Sequence, residues 1–280
     1  MRVRTLPMAL SSAAALLLSA CQTTPPAPPV PPTTVAAVGE LRPGTGVAKG
    51  YLDRTQLPDS LALLPRPPAD GSAAAALDLD VHKATRVLRG TARWDWAARD
   101  AVYRFPAAAN TLSCALNMPI SEGATPHLNM LLQRTLVDAG LSTYAAKDRY
   151  QRQRPYAVLN EATCYPADDT ALRKDGSYPS GHAALGWAWG LVLAELAPER
   201  ADALLARAHA FGQSRVVCGY HWQSDVDAGR LMGSAAVARL HADPVFTAQM
   251  VLAKGEIAAA RAAGATAPAH CAAESAALAR

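Results

Sequence analysis

Two histidines in this chain sit in settings that could do chemistry. His221 lies four residues before Asp225 in Ser214-Arg215-Val-Val-Cys-Gly-Tyr-His221-Trp-Gln-Ser-Asp225. On a helix, that spacing brings the carboxylate within reach of an imidazole nitrogen. The bond would hold a proton on Nδ1 and leave the Nε2 lone pair free for a nucleophile or base. Asp227 is expected to face elsewhere, and Arg215 offers a planar fork suited to phosphate oxygens. His182 ends a second stretch, Gly176-Ser-Tyr-Pro179-Ser180-Gly181-His182, directly before an apolar run. Gly176 and Pro179 mark a turn there, and Ser180 suits a helix N-cap. Gly181 would let an oxyanion approach the first-turn amides, where the helix dipole adds favourable potential. A third stretch, Lys147-Asp-Arg-Tyr-Gln-Arg-Gln-Arg154-Pro155, sets two cations seven residues apart. Two helical turns would put both on one face, with Arg154 near the end that Pro155 imposes. Taken singly, these are a basic helix face and a capped helix. Taken together, they are an anion cage with two imidazoles.

The elements that must carry these groups read as helices. Ala, Leu, Arg and Glu dominate from about residue 46 to 265, and β-branched alternation is scarce. Helices are expected over 74–90, 93–105, 126–140, 182–197, 199–212, 221–242 and 243–263. Pro106, Pro126, Pro198 and Pro244 fall near their starts, and Gly90, Gly140 and Gly212 near their ends. The fold class that follows is all-α, a single compact multi-helix domain. His82, His127, His209, His241 and His270 each stand alone and are expected in surface or capping roles.

Composition narrows the function classes. A net charge of +4 with no Lys/Arg-rich run argues against a nucleic-acid track, so no nucleic-acid partner is expected. The chain lacks a Walker loop, a dinucleotide-type glycine pattern, an HExxH pair and a CxxC. Residues 1–20 read as a signal peptide with basic Arg2 and Arg4, ending in a lipobox-like Leu18-Ser19-Ala20-Cys21. Cys21 is therefore the expected lipidation site. Residues 21–45 read as the lipidated Cys and a Pro-rich linker, extended over 22–34, residues 46–265 as the folded domain, and 266–280 as a C-terminal tail of surface chain, pinned at Cys271 if that residue is bridged. Gln22 after the Cys resembles the sorting signal of outer-membrane lipoproteins, which makes the expected location the periplasm, anchored to that membrane. Export permits disulfides among Cys114, Cys164, Cys218 and Cys271, with the pairing open among three possibilities.

The three active segments together resemble the signature K-x6-R-P, P-S-G-H, S-R-x5-H-x3-D of the type-2 phosphatidic acid phosphatase and vanadium haloperoxidase superfamily. Lys147, Arg154, Pro155, Pro179, Ser180, Gly181, His182, Ser214, Arg215, His221 and Asp225 meet every fixed position. GSYPSGH, RVVCGYHWQSDVDAGR and the early YLD…LLPRPP (51–68) are similar to class A bacterial non-specific acid phosphatases. Ala183 departs from the Thr usual there, just outside the bonded set. The resemblance implies a phosphoric monoester hydrolase of broad range. Its phosphate would be held by Lys147, Arg154, Ser180, Gly181 and Arg215, and its catalytic residues would be His221 as nucleophile, His182 as acid and base, and Asp225 as orienter. It implies no cofactor and no metal, small-molecule phosphate monoesters as partners, and a homodimer. Cations around His182 are expected to oppose its protonation and draw the pH optimum below neutrality. The alternatives are a vanadate-dependent haloperoxidase and a non-catalytic phosphate-binding envelope lipoprotein.

Overall fold

Side-chain caps or prolines start several of the helices of this computed structural model, which describes Met1 and residues 30–279. In chain order they are α1 (Ala73–Thr85), α2 (Ala92–Asp100), α3 (Pro126–Leu141), α4 (Tyr144–Tyr150), α5 (Gly181–Leu196), α6 (Ala201–Val217), α7 (Gln223–Leu240), α8 (Pro244–Ala262) and α9 (Cys271–Leu278). Ser72, Ser180 and Asp243 each accept a first-turn amide through the side chain, and α3 and α8 open on Pro. Among the described residues the only β-pairing is an isolated Glu40–Ala48 bridge. The fold is all-α. None of its described helices is long and apolar enough to cross a membrane.

The centre is α5, apolar nearly all round and packed on α3, α6 and α7. Small residues let the helices approach. Gly186 and Gly190 of α5 face Phe211 and Ala208 of α6, while Gly229 and Gly233 of α7 face the backbone carbonyls of Ser180 and Ala184. A Cβ on either α7 glycine would overlap main chain, which cannot swing aside. Gly233→Val is expected to cost about 1–3 kcal/mol by overpacking, read as a lower urea midpoint with an unchanged slope. The core around them holds Trp189, Phe211 and Phe246, and Trp189 Nε1 donates to Leu132 O at 2.8 Å.

Several expectations are corrected here. The 74–90 helix stops at Thr85 and continues as a 3₁₀ turn, Arg86–Leu88. The 199–212 helix runs on to Val217, because Gly212 lies against Ala183 and Val226 inside the core and does not end it. The tail is pinned at Cys271, and more of it is ordered than surface chain requires. Cys271 is bonded to Cys114, and the alanine-rich segment after it coils into α9, where buried Glu274 pairs with Arg207 at 3.1 Å. Just past the 22–34 stretch expected to be extended, the linker forms the helical turn Val35–Val38, and Gln249 of α8 donates to Pro32 O. His82 is buried and meets Glu161 at 3.2 Å, so it has no surface role. The signal peptide and Cys21 lie outside the described residues.

Candidate active site

Lys147 and Arg154 do meet, but not along a helix face. α4 ends at Tyr150, Gln151 turns left-handed at φ 44°, and Arg154 stands in extended backbone before the short helix Pro155–Val158. Asp175 joins the two cations instead: its Oδ2 accepts Lys147 Nζ at 3.2 Å and Arg154 Nη2 at 3.0 Å. Both cations also donate to the Gly176 carbonyl. Residue 176 must be small, since a Cβ there would fall 2.8 Å from Lys147 O. Burial and the Arg154 charge lower the Lys147 ammonium to about 8.

The second stretch enters α5 as its residues suggest. Ser180 Oγ accepts the Ala183 amide at 3.2 Å, and Ser180 N donates to Asp225 O at 2.8 Å, which ties this turn to α7. The Gly181 and His182 amides belong to the first turn, where no intrahelical acceptor exists. Gly181 lies within 3.8 Å of Lys147 Cε by its would-be Cβ, so the ammonium stem and the open amides flank one space. His182 is sandwiched by aromatics: it stacks on Phe211, centroids 4.3 Å apart, and meets Tyr103 edge-on at 5.5 Å. Its ring hydrogen-bonds the Asp100 backbone carbonyl, and its Nε2 is buried without a partner in the protein.

The third stretch contains a correction. His221 is not inside a helix: α7 begins at Gln223, and Trp222 is its N-cap. Asp225 therefore reaches back as the N3 carboxylate. Its Oδ2 takes the Trp222 amide at 2.9 Å and lies 3.3 Å from His221 Nδ1. The i, i+4 pair forms through cap geometry and not through a helical turn. His221 Nε2 accepts from Arg154 Nη1 at 2.9 Å, and the His221 amide donates to Arg215 O. Arg215 itself lies over the Tyr220 ring at 4.2 Å, with Nε and Nη1 buried and unpartnered. Asp227 faces away, as expected, and pairs with Arg230.

Electrostatics treats the two histidines differently from expectation. The cation cluster surrounds His221, which burial and then Arg154, Lys147 and Arg215 push well below the ordinary histidine value. His182 is also pushed well down, first by burial, then by Arg215 and His221. Asp225 is raised by burial and drawn back by Arg152 and its hydrogen bonds. The disulfide Cys164–Cys218 sits beneath the Arg215–His221 turn, with Cys164 N donating to Cys218 O at 3.3 Å. The site thus offers one imidazole lone pair, a second imidazole with a free Nε2, three buried cations and two open amides. That set can hold a tetrahedral oxyanion, attack it and exchange a proton with its substituent.

Sequence reasoning missed Arg152, Asp78, Asp175, Asp100, Tyr103 and Phe211. An Arg two residues before Arg154 was a readable hint for Arg152. The others lie on segments with no pattern of their own, and only packing brings them in.

Residues 128–246 match the PAP2 superfamily. A non-specific acid phosphatase of Providencia stuartii is 49% identical over 209 residues, covering 74% of this chain and 84% of that protein. An acid phosphatase of Zymomonas mobilis is 40% identical over 72% of this chain and 77% of its own length. The Salmonella typhimurium non-specific acid phosphatase is 41% identical, over 69% and 78%. Likeness of that extent, running through the three segments that close around His221, settles the kinship: this chain belongs to the PAP2 superfamily and, within it, to the class A bacterial acid phosphatases.

Proposed function

We propose that this protein hydrolyses phosphate monoesters of broad range through a phosphohistidine on His221, without a metal. One observation carries the reading. Arg215 Nε and Nη1 and His182 Nε2 are buried polar atoms with no protein partner, beside a buried nucleophile ringed by cations. Buried polar groups are ordinarily paired, and an oxyanion held between these donors would pair all three at once. The relatives' names as acid phosphatases agree.

The phosphoryl group would lie against Lys147, Arg154, Arg215, the Ser180 hydroxyl and the Gly181 and His182 amides, which match the charge on its equatorial oxygens. As Arg154 turns from Nε2 to phosphate, the His221 lone pair attacks phosphorus and the ester P–O bond breaks. His182 Nε2–H gives its proton to the leaving alkoxide. Asp225 holds Nδ1–H and offsets the positive charge of the phosphorylated ring. Water then attacks the phosphohistidine, His182 takes its proton, and phosphate leaves with His221 neutral again. The location we propose is the periplasm, with a lipid anchor at Cys21 and a homodimeric assembly.

The test is hydrolysis of p-nitrophenyl phosphate by the full chain with excess chelator present. Full activity, with a 32P-labelled histidine trapped by rapid denaturation, is the expected result. Activity that needs added metal would refute the metal-free route, and peroxide-dependent bromination with vanadate would favour the haloperoxidase chemistry.

The pH profile supplies a second check. His221 must be neutral to attack, so activity rises as pH passes its lowered value. His182 must be protonated to act as acid, so activity falls as pH passes its own lowered value. Both limbs lie on the acid side of the ordinary histidine value of about 6.5, which places the optimum below neutrality. Measured kcat/KM should decline above that optimum by up to about tenfold per pH unit; a plateau reaching pH 8 would contradict these roles.

A further inference from the structure

Behind Asp225 lies a buried charge chain that the mechanism above does not use. Arg152 Nη1 donates to Asp225 Oδ1 at 2.6 Å and to Ser224 Oγ at 2.7 Å. Its Nη2 donates to Asp78 Oδ2 at 2.8 Å. Asp78, buried on α1, accepts the Ser224 amide at 2.9 Å through Oδ1 and the Ser224 hydroxyl at 2.5 Å through Oδ2. The two Asp225 oxygens thus have separate duties. Oδ1 takes Arg152, Oδ2 faces His221 Nδ1 and the Trp222 amide, and the Ser177 hydroxyl also bonds the carboxylate. The Arg152 backbone reaches the other catalytic turn as well, since its carbonyl accepts the Ser177 amide at 2.8 Å.

We infer that Arg152, braced by Asp78, is a positioning residue that holds the Asp225 carboxylate against the His221 ring for phosphoryl transfer. The inference rests on His221 being the nucleophile. A carboxylate rotates about its last bond, and the Trp222 amide and the Ser177 hydroxyl restrain it with neutral bonds. Arg152 adds a charge-assisted restraint on Oδ1, which holds Oδ2 toward Nδ1, and Asp78 in turn fixes the guanidinium from its other nitrogen. The pair also solves a burial problem. Asp225 is fully enclosed, and a carboxylate there keeps its charge only beside a cation. The charged and titratable groups around it are Arg152 and His221, then Lys147 and Arg154 across the cup, Asp78 from α1 and Tyr178 from the turn before α5. Lys147 and Arg154 are committed to Asp175 and, in the reaction, to phosphate. Arg152 is the cation bonded to Asp225 itself.

The test compares Arg152→Met, Arg152→Lys and Asp78→Asn with the unaltered protein, following kcat, KM and the pH profile on p-nitrophenyl phosphate. Arg152→Met is expected to lower kcat by about 100-fold from misplacement of the reacting ring, with KM changed less than about threefold. Its acid limb should move up by about one pH unit, because losing a buried cation makes the hydrogen-bonded His221–Asp225 pair easier to protonate. Arg152→Lys should restore about tenfold of the lost kcat, and Asp78→Asn should show a smaller loss with the limb moved the same way. If Arg152→Met does not fold, the limb shift in Asp78→Asn, set against an unmoved limb in Arg152→Lys, decides the matter. Unmoved limbs in Arg152→Met and Asp78→Asn with a uniform loss at all pH values, or no loss at all, would overturn the inference. His221→Ala, assayed alongside, separates the cases: activity surviving there sinks the phosphohistidine reading, whatever Arg152 does.

Discussion

His221→Ala is expected to lower kcat by about 10⁴-fold or more and to abolish the trapped phosphohistidine. Removing a covalent nucleophile leaves only binding and charge stabilisation, and enzymes of this kind then retain a small residue of their catalysis. The cup itself should survive. Lys147 and Arg154 keep their bonds to Asp175 and Gly176, and Arg215 remains over Tyr220. Phosphate binding by the variant should therefore change little, because the alanine also releases the Arg154 Nη1 donor that Nε2 now accepts. Isothermal titration with inorganic phosphate reads this directly. An alanine variant that turns over at more than about one-tenth of the parent rate would exclude His221 as the attacking group.

His182→Asn should separate substrates by their leaving groups. An alkoxide needs a proton as the P–O bond breaks, whereas a nitrophenolate departs nearly unaided. We expect kcat/KM for an alkyl phosphate to fall by about 10²–10⁴-fold, the range of general acid catalysis, and for p-nitrophenyl phosphate much less. kcat/KM reports events only up to formation of the phosphoenzyme, so it isolates the acid role. The base role appears in the second half. Water attacks the phosphohistidine slowly without an acceptor for its proton, so the variant should show a burst of nitrophenol followed by a slow steady state. Equal losses for both substrates, with no burst, would show that His182 only shapes the site. Asn preserves part of the ring's volume between Phe211 and Tyr103, which limits collapse of the aromatic wall.

Sequence and structure agree unevenly. The caps at Ser72, Ser180 and Asp243 and the prolines opening α3 and α8 act within one helical turn, and their effects could be read residue by residue. The wrong expectations came from extending helical geometry through segments that break it. Lys147 and Arg154 sit two turns apart on paper, but the left-handed Gln151 ends the helix between them. His221 and Asp225 pair across a helix entrance, because the carboxylate satisfies the Trp222 amide as well as the ring. In both cases the contact survived, while the local structure supporting it was different. Residues at motif spacing announced which groups meet, and the backbone between them decided how.

From its sequence alone this chain determines the helical class, the cations, the two imidazoles, the small residues that admit an oxyanion, and cysteines able to bridge. These follow from side-chain chemistry and from interactions between near neighbours. Tertiary structure alone decided the pairing of Cys114 with Cys271 and of Cys164 with Cys218, the Asp175 link between the cations, and the bracing of Asp225 by Arg152 and Asp78. It also decided the Asp100 carbonyl and the Phe211 face that fix the His182 ring. Each of these joins segments far apart in the chain, and the distance between such segments is set by how α5 packs into its neighbours, a property no local stretch of residues carries.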